Sequence, residues 1–63
     1  MAKTYRFTLK FHGRPPQTEA FTCSHAGEAM QRARVLLDED ESVAEVVIEH
    51  GDLPVGSLTR RGG

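Results

Sequence analysis

The sequence predicts an α+β fold: an antiparallel sheet of three to four strands with one helix packed on one face, in the order ββαβ(β). Three observations lead there. Residues 4–11 alternate apolar and polar with a period of two. Residues 24–37 repeat apolar side chains at three- and four-residue steps. Residues 43–50 return to the β-favouring types Val and Ile. At 63 residues the chain is read as a single small α+β domain spanning 1–63, with 60–63 a flexible tail. A chain of this length buries only about 60% of the surface its unfolded form exposes, so its margin of stability is thin.

The first strand carries Tyr5, Phe7, Leu9 and Phe11 on one side and Thr4, Arg6, Thr8 and Lys10 on the other. One buried and one wet face is the antiparallel signature. His12 to Gln17 reads as a longish loop, because Gly13 loosens the backbone while Pro15 and Pro16 remove two ladder donors. A second strand over about 18–23 puts Glu19, Phe21 and Cys23 on one face and Thr18, Ala20 and Thr22 on the other.

Ser24 is the expected helix N-cap, its hydroxyl accepting a free first-turn amide, and Glu28 suits the positive end of the helix dipole. Gly27 lowers propensity but is tolerable in a first turn. Ala26, Ala29, Met30, Ala33, Leu36 and Leu37 form the inward stripe, and Glu28, Gln31, Arg32 and Arg34 the outer side. Asp38 to Ser42 is expected to end the helix.

In the third strand, 43–50, Ala44, Val46 and Ile48 are assigned to the core. Val43, Glu45, Val47 and Glu49 are assigned to the open face, with Val43 and Val47 an exposed apolar strip. Gly51–Asp52 is a turn into a short edge strand from Leu53 through Leu58, where Pro54 is acceptable. A right-handed crossover sets the order 2-1-3 with the fourth strand outside the third. That places Arg6 and Lys10 opposite Glu45 and Glu49.

Charge is unevenly spread. Seven acids, Asp38, Glu39, Asp40, Glu41, Glu45, Glu49 and Asp52, fall in one fifteen-residue block without a base, although the whole chain is only −1. A small body polarised in this way selects charged partners. It is not the strongly basic composition of a general nucleic-acid binder. The four acids from Asp38 to Glu41 oppose the negative end of the helix dipole, so helix stability does not explain them.

Candidate chemistry is sparse. Cys23 and His25 form a C-x-H pair, with His12 and His50 elsewhere, but a zinc site needs three or four convergent ligands. A lone thiol is more often a small buried hydrophobe, and it cannot close an intrachain disulfide. A Cys–His nucleophile lacks a third, orienting residue. Asp38 to Val43 lacks the glycine and terminal Glu of a calcium loop. Tyr5, Phe7 and Phe11 resemble a base-stacking platform, but they occupy the face the core requires. No catalytic residue, cofactor or metal is therefore expected. No leader or membrane-spanning segment is read from the sequence, so a reducing cytoplasm is the expected compartment.

The alternating strand Thr4–Phe11, the Ala-rich helix Ser24–Leu37 and the acidic segment Asp38–Asp52 together resemble the small anti-CRISPR inhibitors of phages and mobile elements. Those inhibitors have no common motif, so no residue is carried over from a family pattern. The resemblance implies a monomeric, non-enzymatic protein in the bacterial cytoplasm. It would bind a Cas subunit of a type I surveillance complex at its basic DNA-binding surface and block target DNA, with no direct contact to nucleic acid or membrane. Duplex DNA carries about one charge per 1.7 Å of axis, which closely spaced carboxylates can imitate. Asp38, Glu39, Asp40, Glu41, Glu45, Glu49 and Asp52 are the expected contact residues. The alternative is a phage or plasmid interaction module, antitoxin-like, that docks through a sheet edge. A third reading is a nucleic-acid binder using Lys3, Arg6, Lys10 and Arg14, which the acidic block disfavours.

Overall fold

The computed structural model describes residues 2–60. Its elements are β1 (Lys3–Phe11), β2 (Arg14–Cys23), α1 (Ala26–Glu39), β3 (Val43–His50) and β4 (Leu53–Thr59). One antiparallel sheet in the order β2-β1-β3-β4 carries the single helix on one face, so the fold is the expected ββαββ form of an α+β domain. The core is where the alternating faces meet the helix seam. Tyr5, Phe7, Leu9, Cys23, Val43, Val46 and Ile48 from the sheet pack on Ala29, Ala33 and Leu37. Two fully buried alanines, one turn apart, let the helix backbone lie close to the sheet.

All three strand pairings contain a bulge, and these irregularities correct several expectations. In the β1–β2 pair, Phe11 opposes Arg14 and Leu9 opposes Gln17, so Pro15 and Pro16 together face the single residue Lys10. The prolines are thus inside an edge strand, at the bulge where a missing donor costs least. Strand β2 starts at Arg14 rather than 18, and the long loop is a two-residue turn, His12–Gly13, with Gly13 at φ 74°. In the β1–β3 pair, Lys10 opposes Glu45 and Phe11 opposes Val43, leaving Ala44 as the extra residue. That insertion reverses the face of everything before it. Val43 is therefore 1% exposed in the core, not on an exposed strip, while Ala44 is only half-buried. In the β3–β4 pair, Val55 is the extra residue beside Pro54. Every proline of the chain thus sits at a bulge of an edge strand.

The helix N-terminus also differs from expectation, whereas the helix ends within Asp38–Ser42 as expected. The N-cap is His25, not Ser24: its Nδ1 accepts from the Glu28 amide at 3.1 Å, and the Glu28 carboxylate accepts from the Ser24 amide at 3.2 Å. The arrangement resembles a capping box in which an imidazole nitrogen takes the role of a hydroxyl and Glu28 reaches the amide one residue before the cap. Gly27 has a spatial reason here, since a Cβ there would lie 3.1 Å from the imidazole ring. At the other end the helix runs on through Asp38 and Glu39, and Asp40 is the C-cap, its amide donating to the Leu36 carbonyl. Ala26 is exposed rather than part of the inward stripe, because it lies in the first turn beyond the sheet's cover.

Candidate functional site: the acidic end

The end of the molecule where α1 stops collects the β1–β2 turn, the 40–42 turn and the finish of β4. The His12 amide donates to the Ser42 carbonyl at 3.4 Å, and the Arg60 amide to the Ala44 carbonyl at 3.2 Å. Asp38, Glu39, Asp40 and Glu41 emerge here, and all four are exposed.

Asp40 is folded back on its own turn. Its Oδ1 accepts from the Ser42 hydroxyl at 2.6 Å and from the Ser42 amide at 2.9 Å. These bonds, Ser42 hydroxyl first, hold its carboxyl below the ordinary 3.8, with the Arg14 and Arg60 charges adding in the same direction. Arg14 in turn donates to Ser42 Oγ at 2.8 Å and stacks 4.4 Å over the Phe11 ring.

Arg60 resolves the conflict between the acidic run and the helix dipole. Its guanidinium donates to the Leu37 carbonyl, to the Asp40 carbonyl at 2.8 Å and to the Val43 carbonyl at 3.3 Å. The last turn of α1 contains no basic residue, so this cation from the end of β4 supplies the positive charge and the donors that the carbonyls lack. Arg60 is accordingly not part of a tail; the remainder of that expectation, 61–63, lies outside the described residues. Because its donors are spent on backbone oxygens, the carboxylates of Asp38, Glu39 and Glu41 stay outward. A hollow of about 370 Å³ lies beside Asp38, lined by Arg34, Leu37, Asp38, Leu58, Thr59 and Arg60.

The other acids lie elsewhere. Glu45 and Glu49 are on the open sheet face, half-buried, and paired with Lys10 at 3.4 Å and Arg6 at 3.7 Å. The register placed them opposite those bases as expected, and such exposed pairs add little stability. Asp52 is in the β3–β4 turn, a whole strand away from Val43, which is roughly 25 Å at about 3.3 Å per residue. The seven acids therefore divide into one cluster of four, one ion-paired column and one distant residue. Ser42 and Arg60, which with Arg14 build the cluster's support, were not singled out from sequence, and Arg14 entered there only as a candidate nucleic-acid contact. The only signal for them was the demand itself: an acidic helix end needs a cation from somewhere.

Of the remaining candidates, Cys23 is a buried free thiol at the opposite end of the molecule, as is His25. His50 stacks on Tyr5 at 5.1 Å between ring centroids. Among the described residues no group of three or more His, Cys, Asp or Glu is placed to hold a metal ion, and no helix is long and apolar enough to cross a membrane. Comparison with protein families, curated proteins and solved structures returned no match.

Proposed function

We propose that this chain is a non-enzymatic binding protein whose acidic end docks on a cationic, DNA-binding protein surface and keeps DNA off it. The resemblance to small anti-CRISPR inhibitors suggests the target, the basic DNA path of a type I surveillance complex. One observation carries the reading: Arg60 caps the carbonyls of α1 and leaves Asp38, Glu39 and Glu41 exposed at the same end of the molecule. An arrangement that only served stability would use a cation in the last helical turn and would not place acids there. Asp40 contributes by shaping the turn, with its carboxylate committed to Ser42.

The contact set is narrower on this reading than the whole acidic block. Glu45 and Glu49 are occupied by Lys10 and Arg6, and Asp52 is at the far end. The test is binding of the purified chain to a type I effector complex in competition with target DNA, at low and high salt. Joint replacement Asp38→Ala, Glu39→Ala and Glu41→Ala is expected to lower affinity by more than about tenfold at low salt, as loss of several interfacial charges should. The variant's fold is expected to be intact, because the removed charges oppose the helix dipole. Undiminished binding by this variant would refute the acidic-end mechanism.

A further inference from the structure

Among the described residues, no element lies over the face of the sheet turned away from α1. That face carries two columns of opposite sign: Arg6 and Lys10 along β1, and Glu49 and Glu45 along the neighbouring β3. The pairs are in register, Arg6 beside Glu49 and Lys10 beside Glu45, and between them lies the row Thr8–Val47. The side chains are still partly open to solvent, 51% and 36% for Arg6 and Glu49, 53% and 29% for Lys10 and Glu45. Flanking them are small residues, Thr18 and Ala20 on β2 and Ser57 on β4, which allow two sheets to approach to the usual spacing of about 10 Å.

We infer that this face binds a second copy of the chain, sheet against sheet, about a two-fold axis running along the strands between β1 and β3. The charge pattern selects that operator. Rotation about such an axis exchanges the β1 and β3 columns while keeping each residue at its own level along the strands. Arg6 then lies over Glu49 of the second copy, Lys10 over its Glu45, and Thr8 over its Val47, each contact made twice, as an isologous interface requires. A two-fold axis across the strands would instead set Arg6 over Lys10. A partner of one charge sign, nucleic acid included, would meet a repelling column.

The edges offer a poorer route to assembly. Both edge strands are broken by proline at a bulge, devices that blunt strand addition. The face spans four strands about 4.8 Å apart and some six residues, or roughly 400 Å² of projected area per copy. That is near the lower end of specific interfaces, which begin at roughly 1,000 Å² of accessible surface for both partners. The dimer is therefore a weak one, and the monomer expected from the sequence is its dilute state. The two acidic ends would lie at the same end of the pair, because the axis runs along the strands.

Sedimentation of the full chain across micromolar to millimolar concentrations tests the inference. The wild type is expected to pass reversibly from monomer to dimer. Thr8→Arg, in the central row, is expected to raise the dissociation constant about tenfold or more, as a disrupted interface centre does. Val47→Glu serves as a second variant if circular dichroism finds Thr8→Arg unfolded. Arg6→Glu alone is expected to weaken the dimer, and Arg6→Glu with Glu49→Arg to restore it, since the exchange keeps opposite signs both within and between copies. A wild type monomeric at millimolar concentration, or a dimer unmoved by the central-row variants, would overturn the inference. Neither outcome touches Asp38, Glu39 or Glu41.

Discussion

Arg60 holds three backbone carbonyls, those of Leu37 in α1, Asp40 at its C-cap and Val43 at the start of β3, and the last turn of the helix has no basic residue to do so. Arg60→Ala is expected to lower stability by about 1–2 kcal/mol, from lost charge-assisted hydrogen bonds and the uncompensated dipole, measured by urea unfolding. Asp40 makes the complementary contribution at its own turn. Its carboxyl pKa is depressed by the Ser42 bonds, so the folded state holds the proton less tightly than the unfolded chain. Its stabilising effect is complete above the ordinary 3.8 and is lost as pH falls below that value through the folded pKa. Thermal unfolding followed from neutral to acid pH should show this loss, and Asp40→Asn, which keeps an acceptor but cannot titrate, should flatten that part of the profile. A wild-type slope retained in Asp40→Asn would assign the acid sensitivity to other carboxylates.

At the scale of the element, the bulge at Ala44 decides which face of β3 each valine occupies. Val43 fills the core against Phe11, whereas Val47 belongs to the open face. Val43→Ala should therefore cost about 2 kcal/mol, the loss of two buried methyl groups with a partly retained cavity. Val47→Ala should cost under about 1 kcal/mol, because its site is only half-covered. Equal effects in denaturant titrations would contradict the bulged register. The helix follows the same logic of local need met by the nearest suitable group. Its N-terminus requires an acceptor one residue before Ala26, and His25 is there, with Gly27 leaving the imidazole its room.

For the molecule as a whole, the topology sorts charge into regions of different use. The helix end gathers carboxylates outside and guanidinium groups beneath, the open face holds opposite charges in register, and Asp52 stands alone at the far turn. Association through the acidic end should weaken with added salt, since exposed charges are screened within about 8 Å at physiological ionic strength. Dimerisation through the sheet face should weaken less, because its charges are covered when paired. The two processes are therefore separable by ionic strength as well as by mutation.

Much of this was legible in the residues themselves. Alternation from Thr4 to Phe11 and the stripe Ala29–Ala33–Leu37 follow from the geometry of single elements, so the element order, the helix face and the Arg6–Glu49 and Lys10–Glu45 pairs could be read from periodicity and one handedness rule. Three matters were settled only when the strands met. Pro15–Pro16 lie in a strand because a bulge opposite Lys10 absorbs them; Val43 turns inward because Ala44 is inserted; and the acidic helix end is held because Arg60 arrives from the far side of the chain. A bulge is a mismatch between two strands and a tertiary cap joins residues some twenty apart, so neither leaves a mark in the pattern of one segment. Periodicity records which side of an element is apolar; only the docking of elements determines where that side changes and who supplies the missing donor.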